Sequence, residues 1–242
     1  MLKACLNGGR APGWHPRLPV TPAQLAADAA SVAAIGVAAV HCHPRGPSGA
    51  ESVEPDDCDA VVAAIRLAVP GLEVSLTTIE RVEPDPRRRM DQIRGWRILP
   101  DSASANFDDP LAETITALLL ERGVGVEAGL SSVADARRWA DSGLATRCCR
   151  VLVEPDDMDA ADAVRIATQI TDFVAEVTPD LPQVHHGYGA ATWAMIRAAL
   201  AAGHGARIGL EDVDLLPDGS PAIDNAALVA TLRLLADQAA EA

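Results

Sequence analysis

Eight pairs of alternating segments run through this chain of 242 residues. In each pair, a short run rich in β-branched residues precedes a longer, alanine-rich amphipathic run. Such alternation is typical of parallel strands joined by helical crossovers. The predicted strands are Leu2–Leu6, Val37–His43, Leu72–Thr78, Ser102–Phe107, Val124–Leu130, Cys148–Glu154, Pro182–His186 and Ala206–Glu211. The predicted helices are Pro22–Ile35, Asp57–Val69, Pro86–Trp96, Pro110–Arg122, Val133–Ser142, Asp159–Val177, Ala190–Ala202 and Asn225–Ala239.

Eight βα units that end in a helix are the number that closes a (β/α)8 barrel. An open doubly wound sheet is the structural alternative. No linker or low-complexity segment divides the chain, so we expect one α/β domain, a single TIM barrel over residues 1–242. The loop Gly8–Val20 is unusually long and rich in Gly and Pro, and such loops in compact domains are often functional.

Composition narrows the classes of function. Hydrophobic residues make up 49% of the chain, enough for a large core. The formal net charge of −14 argues against general binding of nucleic acid or of an anionic membrane. No apolar run approaches the ~20 residues that a membrane span needs. Five cysteines without a framework spacing indicate reduced thiols and hence a cytoplasmic protein.

Two histidines at the end of the second predicted strand are the sharpest chemical signal. His41 and His43 project the same way, because a strand alternates faces with period two. Ligands of such barrels bind on the face formed by the loops that follow the strands. Both imidazoles would point there and could bind zinc or another divalent transition metal. The alternative is a pair of hydrogen-bonded histidines beside the core.

A third metal ligand is available far along the chain. Glu211 and Asp212 end the last predicted strand, which neighbours the first strand in a closed barrel. Glu211 can therefore approach the histidine pair. Three protein ligands leave a coordination position open, which is the pattern of catalytic metal sites. The alternative, a helix cap, is weaker because a loop follows Asp212.

Six further polar residues lie in or after the other strands, and we expect them to bind substrate on the same face: Asn7, Arg10, Thr77, Asn106, Glu127 and His186. Each residue type also occurs as a hydrogen-bonded turn or core residue. Glu127 stands apart, because a carboxylate inside a buried strand needs a partner.

Several segments together resemble the β-keto acid cleavage enzyme family, whose namesake is the 3-keto-5-aminohexanoate cleavage enzyme. The similarity covers nearly the whole chain in order, and the combination of segments is specific although each alone is not. The matching segments are Lys3–Arg10, Leu18–Pro22, Val40–Arg45, Ser104–Phe107, Val126–Leu130 and Arg207–Asp212.

The resemblance implies a zinc-dependent (β/α)8 acyltransferase that is usually a homo-oligomer. Its reaction converts a β-keto acid and acetyl-CoA, the expected small-molecule partners, into acetoacetate and a new acyl-CoA. The resemblance also implies roles for individual residues. His41, His43 and Glu211 would be the metal ligands, Asp212 the general base, and Arg207 would position the base or the substrate.

One departure from the namesake bears on the substrate. Arg10 stands where the namesake has a carboxylate suited to an amino group. We therefore expect a substrate whose tail is anionic or neutral rather than an ammonium group.

Two other functions remain open at this point. A zinc hydrolase on the same barrel would also use a His-x-His pair. Hydrolases of that kind place the pair on the first strand and need further histidines on the fifth and sixth strands, and the predicted strands Val124–Leu130 and Cys148–Glu154 contain none. The second alternative is a non-catalytic paralogue that binds a β-keto acid and keeps the fold.

Overall fold

The eight predicted strands form a closed parallel barrel. The computed structural model describes residues 1–156 and 159–241. Each strand pairs in parallel with the next, and β1 also pairs with β8, so the order around the barrel follows the chain. The prediction of a (β/α)8 TIM barrel is confirmed. The strands are β1 Leu2–Cys5, β2 Ala39–Cys42, β3 Glu73–Leu76, β4 Ser102–Asn106, β5 Gly125–Leu130, β6 Arg150–Val153, β7 Gln183–His185 and β8 Gly205–Ile208.

A helix follows each strand, and several helices begin at the residues that the sequence indicates. Thr21 and Gln24 form a reciprocal capping box at the start of α1, which satisfies backbone N–H groups that the helix itself cannot pair. Within the described part of the chain, no helix is both long and apolar enough to cross a membrane. The helices are α1 Pro22–Ala33, α2 Pro55–Ala68, α3 Pro86–Gly95, α4 Ala112–Glu121, α5 Val133–Asp141, α6 Ala160–Val177, α7 Thr192–Ala201 and α8 Asn225–Ala240.

The last strand ends earlier than its sequence predicts. Strand β8 stops at Ile208, whereas the apolar pattern favours a strand up to Glu211. The backbone N–H groups of Asp212 and Val213 both donate to the carbonyl of Gly209, so the chain turns immediately after the strand. Glu211 and Asp212 consequently lie in a turn above the barrel rather than in the sheet.

The barrel has an apolar outside and a partly ionic inside. A continuous apolar core fills the layer between the strands and the helices. Inside the barrel, Lys3 donates to both carboxylate oxygens of Glu127, and Arg150 Nη1 lies 3.3 Å from Glu127 Oε1. Burial alone would raise the pKa of Glu127, but the two cations keep it below its usual value. This buried ion cluster is the partner that a carboxylate in a buried strand requires.

Candidate active site

A cavity of about 350 Å³ opens where the strands end at their carboxyl termini. This is the face on which TIM barrels bind ligands. The following residues of the cavity wall were candidates from sequence: Arg10, His41, His43, Thr77, Asn106, Arg207 and Glu211. Six other wall residues were not candidates from sequence: Gly9, Ile79, Arg81, Ser104, Glu154 and Tyr188.

The three proposed metal ligands converge on one side of this cavity. One ligand atom from each of His41, His43 and Glu211 lies within 4.8 Å of the other two. His43 Nε2 is 3.9 Å from Glu211 Oε1, and the two imidazole rings meet edge to face with centroids 5.1 Å apart. Glu211 Oε2 is buried and has no hydrogen-bond partner among the described residues. An unpaired buried carboxylate oxygen beside two imidazoles fits a divalent metal ion.

Neighbouring side chains orient His41. Its Nδ1 lies 3.1 Å from Ser75 Oγ, and the Ser75 hydroxyl in turn donates to Glu127 in the ion cluster. Nε2 therefore remains free for the cavity. Burial, together with the nearby charge of Lys3, holds the pKa of His41 well below its usual value. The ring is thus neutral, which is the form that binds a metal.

A carboxylate orients His43 in the same way. Its Nδ1 contacts Glu51, which also accepts a hydrogen bond of 2.8 Å from Arg81 Nη2. Although burial opposes the charged form, the contact with His43 and the charge of Arg81 keep the pKa of Glu51 below its usual value. A carboxylate behind a metal-binding histidine fixes its tautomer and ring orientation.

Arg207 links the two acidic residues of the turn. Its Nη2 donates to Glu211 Oε1 at 2.6 Å and lies 3.4 Å from Asp212 Oδ1. Asp212 is fully buried just behind the cavity wall, and its Oδ2 has no hydrogen-bond partner in the described structure. The arrangement therefore offers one carboxylate oxygen that is free to accept a proton.

The long loop after β1 closes the cavity over this turn. Arg10 donates to the backbone carbonyls of Glu211 and Asp212, and its guanidinium lies 4.3 Å from the ring centroid of Trp14. Arg10 therefore ties the loop to the turn while it also lines the cavity. The sequence indicated a cation at this place, but not that it also holds the backbone of the proposed ligand.

Three residues that the sequence predicts to bind substrate do not line the cavity, and neither does the expected base Asp212. The Asn7 side chain bonds the backbone N–H and carbonyl of His43, so it joins the ends of β1 and β2. Glu127 lies inside the barrel in the ion cluster. His186 is fully buried between Glu154 and Asp212. Asn7 and Glu127 are satisfied by protein neighbours rather than presented to a ligand, and His186 is enclosed by the two carboxylates, although its Nδ1 makes no aligned hydrogen bond among the described residues.

The position relative to a strand could have identified two of the cavity residues that the sequence did not single out. Ser104 precedes Asn106 by two residues on β4, so both face the barrel interior by the same alternation that relates His41 to His43. Glu154 follows directly after β6. Arg81 lies in a single 3-10 turn over residues 80–82 and Tyr188 lies in the loop after β7, and neither segment is long enough for a periodic pattern to report the direction of a side chain.

Comparison with protein families identifies the chain. The sequence profile of the β-keto acid cleavage enzymes matches residues 1–241. The chain belongs to the β-keto acid cleavage enzyme family. The resemblance of the short sequence segments is thus confirmed over essentially the whole length of this family member.

Solved structures similar to this β-keto acid cleavage enzyme share its barrel. Apo ObcA has 18% sequence identity and a TM-score of 0.71, covering 90% of this chain and 61% of its own. ObcA with a C4-CoA adduct and oxalate has 17% identity and a TM-score of 0.73, covering 90% and 63%. A type I 3-dehydroquinate dehydratase from Clostridium difficile has 11% identity and a TM-score of 0.60, covering 98% and 92%.

At these identities, the structural similarity shows the fold alone. The chain spans about three fifths of the length of the ObcA chains that it matches. No curated protein sequence matches it at a significant level.

Proposed function

We propose that this β-keto acid cleavage enzyme is a metal-dependent acyltransferase, which converts a β-keto acid and acetyl-CoA into acetoacetate and a new acyl-CoA. The observation that carries the proposal is the convergence of His41, His43 and Glu211 in the cavity, next to the Arg207–Asp212 pair. Family membership supplies the type of reaction.

The donor set fits zinc or a similar divalent ion. Two imidazole Nε2 atoms and one carboxylate form a three-ligand site that leaves room for substrate. When bound, the metal would polarise the keto and carboxylate oxygens of the substrate and stabilise the negative charge of its enolate. Ser75 and Glu51 hold the two imidazoles in the orientation that this requires.

Asp212 and Arg207 provide the proton chemistry. We assign to Asp212 Oδ2, which has no partner among the described residues, the removal of the proton between the keto and carboxylate groups. Arg207 Nη2 lies 3.4 Å from the other oxygen, Asp212 Oδ1, and partly balances the charge of the carboxylate. Thr77 and Asn106 offer hydrogen-bonding groups along the rest of the wall.

The reaction then exchanges one carbon–carbon bond for another. The α-carbon of the substrate attacks the acetyl carbonyl, a new carbon–carbon bond forms, and the CoA thiolate leaves. The thiolate attacks the original keto carbon, whose bond to the α-carbon breaks to give the new acyl-CoA. The remaining fragment takes back the proton from Asp212 and leaves as acetoacetate, so atoms and charge balance.

Two observations support the assignment of a β-keto acid and a CoA thioester as substrates. ObcA, which shares the fold, has been solved with oxaloacetate, itself a β-keto acid, and with a C4-CoA adduct. Arg10 and Arg81 place two cations at the cavity, which favours a substrate with an anionic or neutral tail. Better turnover of amino-substituted than of dicarboxylic β-keto acids would contradict the second point. Assembly as a homo-oligomer remains a prediction.

The central experiment is a panel of β-keto acids assayed with acetyl-CoA, with acetoacetate and the new thioester both measured. Purified protein should contain about one zinc or similar ion per chain. His41→Ala should lose both metal and turnover, whereas His204→Ala, a histidine near the opposite end of the barrel, should keep both. An active, metal-free His41→Ala protein would overturn the proposal. So would hydrolysis without CoA, or binding of a β-keto acid without turnover.

A further inference from the structure

A buried histidine connects two carboxylates at the ends of three neighbouring strands. His186 follows β7, Glu154 follows β6, and Asp212 lies in the turn after β8. His186 Nε2 is 2.8 Å from Glu154 Oε2, and His186 Nδ1 is 3.3 Å from Asp212 Oδ1. The second contact is an ion-pair approach rather than an aligned hydrogen bond. We call these three side chains the Glu154–His186–Asp212 cluster.

The geometry favours a protonated imidazole at His186. Each ring nitrogen of His186 faces a carboxylate oxygen, so a neutral ring would direct a lone pair at one of them. Burial and the charge of Arg207 oppose a second proton, but Asp212 and Glu154 outweigh them and the pKa of His186 lies above its usual value. Tyr188 packs edge to face on the ring, with centroids 4.9 Å apart. The two facing carboxylates therefore favour the imidazolium form of His186.

Within the Glu154–His186–Asp212 cluster, Glu154 is the residue that reaches the cavity. Its Oε2 binds His186, whereas its Oε1 lies across β5 at Gly129, where a Cβ atom would come within 2.1 Å of it. Only glycine leaves room for the carboxylate at this position. Glu154 lines the cavity, while His186 and Asp212 lie behind the wall.

Few other side chains hold the Asp212 carboxylate in one orientation. Apart from His186, the cation nearest its carboxylate is Arg207, whose Nη2 is 0.8 Å closer to Glu211 (2.6 Å) than to Asp212 (3.4 Å). Arg207 is thus engaged mainly by the proposed metal ligand. The Asp212 side chain has no other polar contact on the described residues that would set its direction.

We propose that His186 is a positioning residue, which directs the Asp212 carboxylate towards the substrate and is itself anchored by Glu154. The proposal rests on the proposed function, in which Asp212 is the base. It adds two residues whose roles family membership does not state. A misplaced base slows proton transfer without weakening the attachment of substrate to the metal.

Turnover of variants tests this. His186→Gln should lower kcat about 100-fold with KM little changed, because a misdirected base affects the chemical step. Glu154→Ala should lower kcat similarly, and Glu154→Gln, which can still accept from Nε2, should retain more activity. The double variant His186→Gln, Glu154→Ala should lose no more than His186→Gln alone. The matched control is His185→Gln, since His185 is also buried but faces away from the cavity and stacks on His204.

A second measurement does not depend on turnover. In protein labelled with ¹⁵N-histidine, both nitrogens of His186 should give imidazolium shifts at pH 7.5, and the signal should move in Glu154→Ala. A neutral His186, additive losses in the double variant, or an unchanged kcat in His186→Gln would each overturn the proposal. If the unaltered protein turns over no β-keto acid, the proposed function fails instead. The spectrum would still report the protonation of His186 in the Glu154–His186–Asp212 cluster.

Discussion

Both candidate histidine ligands present Nε2 to the cavity because a neighbour occupies Nδ1. Ser75 takes this place for His41 and Glu51 for His43. The spacing of the histidines predicts that they share a face, but not which nitrogen is free. That choice depends on Glu51, which comes eight residues after His43 in a loop that turns back on the strand end. Individual side chains thus decide whether a pair of histidines can bind a metal.

Removing the charge of Glu51 should weaken metal binding. We expect Glu51→Gln to lower zinc affinity about 10- to 100-fold, because such outer partners fix the orientation and basicity of a ligand. Titration with a competing chelator measures this directly. Glu54→Gln is the control, since the Glu54 side chain accepts hydrogen bonds from Arg88 and Gln92 on the outside of the barrel. Equal affinities of the two variants would contradict the assignment.

At the scale of elements, the contact between β1 and the turn after β8 determines where the carboxylates of Glu211 and Asp212 lie. Gly209 packs directly on β1, where an added Cβ would lie 1.8 Å from the carbonyl oxygen of Cys5. This contact and the hydrogen bonds to the Gly209 carbonyl bring Glu211 over the histidine pair. The strand pattern in the sequence continues through these residues, because local preference does not report where a neighbouring backbone blocks the path.

Substitution of this glycine should affect both stability and the site. Gly209→Ala forces β1 and the turn apart, and we expect the free energy of unfolding to fall by about 1–3 kcal/mol. Metal binding should weaken as well, because Glu211 moves with the turn. Urea unfolding and chelator competition measure the two effects. In Gly46→Ala the nearest atom is a side-chain oxygen at 3.3 Å, so a smaller loss is expected. A fully stable Gly209→Ala protein would show that the junction tolerates movement.

At the scale of the whole molecule, closure of the barrel buries titratable groups that no local pattern identifies as buried. His185 on β7 stacks on His204, which directly precedes β8, with ring centroids 4.8 Å apart. Burial and the proximity of His204 lower the pKa of His185 to about 3. The sequence shows two adjacent histidines, His185 and His186, but only the fold separates them, one under the helices and one beside the site.

This difference predicts sensitivity to acid. In the unfolded chain the His185 pKa is near the ordinary 6.5 of a histidine, whereas in the folded protein it is about 3. The stabilisation is therefore fully present above pH 6.5, and about 1.4 kcal/mol is lost for each pH unit below it. His185→Gln should lack this loss. Unfolding free energies of both proteins at pH 8 and pH 5 test it, and a difference that does not change with pH would contradict it.

The amino-acid sequence by itself determined the number and type of the main elements, favoured a closed barrel over an open sheet and singled out the three residues that converge in the cavity, because periodicity and position after a strand follow from local geometry. Only the tertiary structure decided which polar residues reach the cavity. Asn7 and Glu127 are satisfied by protein partners and His186 lies between two carboxylates, whereas Arg81 and Tyr188 come into the site from short segments without a regular repeat. The physical reason is that a buried polar group takes whichever partner the folded chain brings within reach, and that partner lies tens to hundreds of residues away.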